Sequence, residues 1–369
     1  MQKKLNMKLL FNTRTFWEEP PRARHQLARA LASEGMEIYF IAKNKKGNSS
    51  IQINEVEKNI FLIEPYWKFP GVVNYRLPVF NEKYQKWLFE QVKKKFGDIP
   101  VVNFDPSAWL LSDYFSKVIY FCNDNFIAYK RSKCFLVSVY HYLTEKRVIE
   151  SSVFSCGVSK YLYSKLSKYT DNAHLFLTAA PKINYDFDVE ETRDIPVKGN
   201  DKIKVVYVGW VNKIDGEWLG NIVAKENYDI TVIGPNYSKL KDKFNGMKNI
   251  KFIGERRGDE LYGYLVKADV AIAPYVDDND SRKVYTMPNK FWLYLAFGLP
   301  IVTRKINNLA DLPKGFVYQA DSAEEFTAKI AEAAEANSHV LRKNRMAFAR
   351  KNTWEKRGKE FKNLLEKYL

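Results

Sequence analysis

Residues 287–302, MPNKFWLYLAFGLPIV, constrain the fold of this chain more than any other stretch. They read as a helix that starts at a proline, stops at a glycine and feeds a buried strand. Pro288 suits a first helical turn, where its missing N–H would be unpaired anyway. Gly298 suits the left-handed position just past a helix end, and Pro300 prevents the helix from resuming. Ile301 and Val302 then open an apolar strand, and Val270–Ala273 reads as another one upstream. Strand, helix and strand with short joints make a parallel α/β arrangement. The free amides of that helix start, with Lys290 one turn in, suit a diphosphate.

The beginning of the chain repeats the pattern. Residues 7–12 predict a strand, residues 22–35 a helix with Leu27, Ala28, Leu31 and Ala32 on one face, and residues 36–42 a second strand. The turn between them lacks G-x-G-x-x-G, which argues against a nicotinamide or flavin dinucleotide. Further strands fit at 60–63, 101–104, 118–122, 153–158 and 174–177, with helices near 80–96, 107–115, 136–150 and 159–168. A polar stretch without periodicity follows, and the pattern then restarts at 203–208. The chain of 369 residues is long enough for two cores. The expected division is a first domain over 1–185, a linker over 186–202, a second domain over 203–345 and a last helical segment over 346–369.

Pro288-x-Lys290, Tyr294, Ala296, Gly298, Pro300 and Val302 together resemble the donor-site helix of GT-B-fold glycosyltransferases. The upstream segments 249–254 (NIKFIG) and 268–274 (ADVAIAP), with Leu261 between them, have the order and spacing of the same family. The nearest likeness is to bacterial enzymes of the family-4-like and xanthan-glucuronosyltransferase type. It extends over about residues 200–320 and is thinner over 1–180. The resemblance implies an α/β fold of two Rossmann-like parallel-sheet domains, the second holding a nucleotide-sugar, with a last helix crossing back to the first. It places Gly209, Trp210 and Lys213 by the donor phosphates, together with Met287, Pro288, Asn289 and Lys290. Glu255, Arg256 and Tyr275 fall near the nucleobase. Retaining members carry two glutamates eight residues apart beside the donor, and here those positions are Tyr285 and Leu293.

Transfer with inversion needs a base to take the acceptor's hydroxyl proton. Asp124, in the strand-ending YFCNDNF of 120–126, resembles an aspartate motif of relatives and is the first candidate. Asp105 ends the preceding strand, and His25 stands where some GT-B enzymes keep a catalytic histidine. Ligands of open parallel sheets bind outside the carboxyl ends of the strands, which favours such positions. Arg22 and Arg24 fit either an acceptor phosphate or a solubilised turn. The loop at Tyr66, Trp67 and Lys68 fits a stacked sugar or lipid headgroups. No metal site is expected: Asp277 and its acidic neighbours read as a solvated loop. His141, His174 and His339 lack partner spacing.

Residues 1–50 hold ten Lys and Arg against four Asp and Glu, and residues 341–369 ten against three. The two ends thus carry most of the net charge of +16. Such a surplus suits an anionic membrane surface, and no nucleic-acid-binding motif is present. Three cysteines without metal spacing suit a reducing cytoplasm. Neither a signal peptide nor a run of about 20 apolar residues is found. The expectation is a cytoplasmic enzyme, peripheral on the inner face of the membrane, needing no cofactor or metal. It would move a sugar, foremost from a UDP-sugar, onto a saccharide or lipid-linked acceptor in polysaccharide synthesis, with inversion. A nucleotide-sugar epimerase of the same fold and a non-catalytic nucleotide-sugar or polysaccharide-binding module are the alternatives.

Overall fold

The computed structural model describes residues 7–125, 135–181, 183, 202–235, 239–276, 286–306, 309 and 312–369. The chain forms two compact units, Met1–Thr178 with Trp354–Leu369, and Ala179–Thr353.

The first unit runs β1 (Lys8–Asn12), α1 (Ala23–Ser33), β2 (Glu37–Ile41), β3 (Lys45–Lys46), β4 (Ser50–Glu57), β5 (Ile60–Trp67), α2 (Gly71–Arg76) and α3 (Pro78–Phe96). It continues with β6 (Val101–Asn103), α4 (Leu111–Tyr114), β7 (Val118–Cys122), α5 (Phe135–Glu150), β8 (Phe154–Gly157), α6 (Lys160–Leu166) and β9 (Ala173–Leu175). The sheet order is β3-β5-β2-β1-β6-β7-β8-β9, with β4 pairing antiparallel to β5 and the other pairs parallel. β7 is buried at every residue, as a strand covered on both faces must be.

The second unit runs β10 (Ile203–Val208), α7 (Gly216–Val223), β11 (Tyr228–Ile233), α8 (Leu240–Lys243), β12 (Ile250–Phe252), α9 (Gly258–Lys267) and β13 (Val270–Ala273). Then come α10 (Asn289–Ala296), β14 (Ile301–Arg304), β15 (Val317–Ala320), α11 (Ala323–Glu335) and α12 (His339–Lys351). Its all-parallel sheet has the order β12-β11-β10-β13-β14-β15. Alternate residues of β10 serve opposite faces. Val205 and Tyr207 pack with Trp218 and Phe326, while Val206 packs with Leu265 and Tyr294. Two Rossmann-like parallel α/β units therefore make up the chain.

The last helix, α13 (Trp354–Tyr368), returns to the first unit and lies along α1. Gly358 permits the approach, because a Cβ there would stand 2.8 Å from that of Ala30. Phe361 enters the core between Phe121, Phe154 and Phe176.

Several local expectations change. Residues 179–181 and 183 join the second unit, and 346–351 complete α12 of that unit rather than opening the last segment. The basic surplus near the end of the chain is therefore split: Arg342, Lys343, Arg345, Arg350 and Lys351 lie on α12. Residues 64–67 continue strand β5 instead of forming a loop, and β3 and β4 pair with it. Pro65 lies between the residues of β5 paired with β2 and those paired with β3. The helix expected over 107–115 is confined to Leu111–Tyr114. Pro288 is the N-cap of α10, with extended ψ of 134°, and the helix itself begins at Asn289.

Candidate active site

In the second unit, the exits of β10, β11 and β12 are stitched together through glycines. Gly209 N–H donates to Ile233 O at 2.8 Å, and Gly234 N–H donates to Gly254 O at 2.9 Å. Gly234 has φ of 147°, and a Cβ there would lie 1.9 Å from Gly209 O. Only glycine fits a backbone that is both in that conformation and so closely approached.

Lys290 meets this turn from the first turn of α10. Its Nζ would stand 2.9 Å from a Cβ at Gly209 and lies 3.9 Å from the centre of the Tyr207 ring and 5.1 Å from that of Tyr275. Among the described residues it has no carboxylate partner, and α10 carries no acidic residue in its first turn. Burial, reinforced by the charge of Lys213, pushes its pKa well below the ordinary lysine value. Pro288 and Met287 are half-buried beside it, and Asn289 is exposed.

The β10–α7 loop is held to the end of β13. Asp215 N–H donates to Pro274 O at 2.7 Å, and Val276 N–H to Lys213 O at 3.0 Å. The Asp215 carboxylate caps α7 and pairs with Arg304 at 3.1 Å. Arg304 lies over the Trp218 ring and donates to Tyr275 O. Sequence reasoning missed this clamp, whose members are 89 residues apart. Trp210 exposes its indole while its carbonyl accepts from Tyr207 Oη at 2.7 Å. Glu255 pairs with Arg257, and Arg256 with Glu260, at the exposed exit of β12. Leu293 packs into the apolar core beneath α10, and Tyr285 lies outside the described residues.

The first unit gathers the other expected residues at the carboxyl ends of β1, β6 and β7. Asp105 accepts from Arg14 Nε at 2.6 Å through one oxygen, and from Ser107 N–H and Oγ–H through the other. The Arg14 guanidinium also lies 3.8 Å over the Tyr75 ring. A cavity of about 10 Å³ below Asp105, lined by Asn12, Tyr75, Asn81 and Tyr84, has room for about one water. His25 is fully buried with both ring nitrogens engaged. Nδ1 accepts from Arg22 N–H at 3.1 Å, and Nε2 faces Phe16 O at 3.2 Å. Burial lowers its pKa to about 4, so the ring is neutral and holds the start of α1. Arg22 pairs with Glu19 at 2.9 Å, and Arg24 is buried. Asp124 is half-buried at the exit of β7, where its Oδ1 accepts from Asn125 N–H at 2.8 Å.

Trp67 is withdrawn from any surface role. It is buried against Trp87 and Tyr84, with ring centres 4.7 and 5.9 Å away. Tyr66 is half-buried and Lys68 is exposed. Among the described residues no group of three or more His, Cys, Asp or Glu is placed to hold a metal ion. Asp277–Asp280 lies outside them. No described helix is long and apolar enough to cross a membrane.

Residues 202–336 match the family described as glycosyl transferases group 1. No curated protein sequence matches the chain. Among solved structures, the chain is similar to a sucrose-phosphate synthase from Thermosynechococcus elongatus, with a TM-score of 0.72, 14% identity and 98% of each chain covered. It is similar to WaaG, a glycosyltransferase involved in lipopolysaccharide biosynthesis, with a TM-score of 0.66 and 14% identity over 96% of this chain and 99% of that one. A trehalose-6-phosphate structure from E. coli bound with UDP-2-fluoro glucose gives a TM-score of 0.70 and 9% identity over 98% and 99%. At such identities the likeness is one of fold, and the fold is GT-B.

Proposed function

We propose that this chain, whose second unit carries the group 1 glycosyltransferase pattern on a GT-B fold, is a glycosyltransferase that binds its nucleotide-sugar in that unit. One observation carries the reading. Lys290, with no carboxylate partner among the described residues, is held at the start of α10 beside the backbone of Gly209. A half-buried lysine without an anion holds its charge at a cost, and a diphosphate would relieve that cost while taking the free amides of the helix start. The glycine at position 209 leaves the space beside the Lys290 Nζ free of a side chain.

The donor is a uridine nucleotide, in keeping with the fold neighbour bound to UDP-2-fluoro glucose. The acceptor is a saccharide, free or lipid-linked, as the neighbour involved in lipopolysaccharide biosynthesis suggests by analogy. Its hydroxyl proton goes to a carboxylate of the first unit. Asp124 is assigned that role because Asp105 is saturated by Arg14 and Ser107, and His25 spends both nitrogens on backbone. The acceptor oxygen forms the new bond to the anomeric carbon as the bond to the diphosphate breaks. The electron pair leaves on the phosphate oxygen, stabilised by Lys290 and the amides of α10. Leu293 offers no polar group to the donor, which favours direct displacement and inversion.

Incubation with UDP-sugars, with and without saccharide acceptors, tests the assignment. Release of UDP that depends on the acceptor is the expected result. Conversion of the donor without an acceptor would indicate an epimerase, and binding without turnover a binding module.

A further inference from the structure

The start of α1 holds a second cation for which the protein supplies no anion. Arg24 is 6% exposed, and its Nε makes no hydrogen bond. No carboxylate pairs with it among the described residues. Its guanidinium faces the Phe104 ring at 5.8 Å, within electrostatic reach of Arg22, Glu19, Asp105 and Arg14. The nearby carboxylates are spoken for: Asp105 is bound to Arg14, and Glu19 to Arg22. Three arginines therefore face two carboxylates. α1 adds the positive end of an eleven-residue helix with no acidic residue in its first turn. Its first amides, those of Ala23 and Arg24, have no acceptor among the described residues.

An arginine is almost never buried unpaired, because removal of its charge from water is repaid only by a partner. An apolar side chain of similar length would fill the same space beside Phe104 without that penalty. The location is at the carboxyl ends of β1 and β6, the side of a parallel sheet where ligands bind. Burial and the charge of Arg22 lower the Arg24 pKa to about 10, so the group is still a cation at neutral pH.

We propose that Arg24, with Arg22 and the amino end of α1, forms an anion site that takes the phosphate group of a phosphomonoester. A guanidinium fork and helix amides together match phosphate geometry and charge. That the phosphate is carried by the acceptor sugar rests on the glycosyltransferase reading; the anion site does not.

Thermal unfolding and titration calorimetry of the full chain, with inorganic phosphate against chloride at equal ionic strength, test the site. Phosphate should raise the wild-type Tm, and Arg24→Met should weaken phosphate binding about tenfold or more, the loss of a charged hydrogen-bond partner. Without phosphate, Arg24→Met should unfold at the same temperature or higher, because the unpaired charge is gone. Arg22→Gln, on the exposed rim, should weaken phosphate binding several-fold without changing the Tm. An equal phosphate response in Arg24→Met, or a markedly lower Tm of that variant without phosphate, would overturn the proposal. UDP binding in the second unit serves as the separate control: it should persist in Arg24→Met. A hexose 6-phosphate that binds no tighter than inorganic phosphate would overturn the acceptor assignment and leave the anion site standing.

Discussion

Val208 N–H donates to the hydroxyl of Tyr294 at 2.7 Å, joining the last residue of β10 to the middle of α10 across 86 residues of sequence. The bond fixes α10 against the strand whose exit turn, Gly209, receives Lys290. Tyr294→Phe removes the acceptor and leaves the Val208 amide without its partner. It should cost about 1–3 kcal/mol in urea unfolding, the range for a buried donor left unsatisfied. UDP affinity should fall with it, because the helix start loses its anchor. An unchanged unfolding midpoint would show that the hydroxyl carries no structural weight.

Lys290 makes a prediction with a sign. Its folded pKa is depressed, so between that value and the ordinary one near 10.4 the unfolded chain binds more protons. This group's contribution to stability therefore rises with pH across that window and levels off above the unfolded value. A bound diphosphate restores the charged form. Nucleotide binding at a pH inside that window should then take up protons, read as a dependence of the calorimetric enthalpy on the ionisation enthalpy of the buffer. Lys290→Met should abolish that uptake and weaken UDP binding by about 1–3 kcal/mol. Proton-neutral binding by the wild type would refute the placement.

Arg345 has no exposed surface, and its guanidinium is met by acceptors of the protein. It donates to Gly298 O at 2.9 Å, to Gly315 O at 2.7 Å and to Asn337 Oδ1 at 2.8 Å. It thereby caps the carboxyl end of the α10 turn, where Gly298 has φ of 70°. Arg345→Lys keeps the charge but lacks the fork that reaches all three oxygens. We expect Arg345→Lys to lose about 1–3 kcal/mol of stability, with buried carbonyls left unpaired. A wild-type midpoint for the lysine variant would mean that water replaces the fork.

Membrane attachment has a narrower basis than the charge count implied. Arg345 and its basic neighbours on α12 belong to the second unit, while Arg357 pairs with Glu360 and Lys362 with Glu34. One surface that combines exposed apolar side chains with a lysine is the joint of α2 and α3, where Val72, Leu77 and Val79 are exposed close to Lys68 in sequence. Cosedimentation with anionic vesicles should be weak and should fade between low and physiological salt. Replacing Val79, 62% exposed, with Asp should remove it. Binding unaffected by that change would locate the contact elsewhere.

The periodic parts of the fold were readable because they are local. The apolar run of β10 and the stop at Gly298 each follow from a few adjacent residues. The misreading of 64–67 came from giving Pro65 the weight of a loop signal, although a proline between two partner strands costs the parallel ladder little. Strand β4 was missed because its alternation, with Ile51 and Ile53 half-buried, is diluted by charged and amide side chains. The site was less legible because its logic is non-local. The tie of Arg14 to Asp105 spans 91 residues, and nothing near Asp105 in sequence announces it. The burial of Arg24 is equally invisible, since an arginine at a helix start ordinarily faces water.

The stereochemical prediction depends on which group of the first unit takes the acceptor's proton. Asp105 receives hydrogen bonds on both oxygens and balances Arg14, so proton uptake there would break an ion pair. His25 is held neutral by burial, yet Nε2 faces Phe16 O and Nδ1 is taken by Arg22 N–H. Asp124 is half-buried and stands at the carboxyl end of β7, a strand buried throughout. Asp124→Asn keeps the shape, and its side-chain oxygen can still accept from Asn125 N–H, so the variant should fold and bind UDP as the wild type does. Loss of a general base should slow turnover by about 10²–10⁴-fold. With Leu293 half-buried against the apolar core, no polar group at that position assists a retaining route, and the product should have the anomeric configuration opposite to the donor. NMR of the first-formed product decides the configuration, and retention would dismiss both the inverting route and the base assigned to it. Near-normal turnover in Asp124→Asn with inversion intact would move the base to Asp105, whose own Asn variant should then be the slow one.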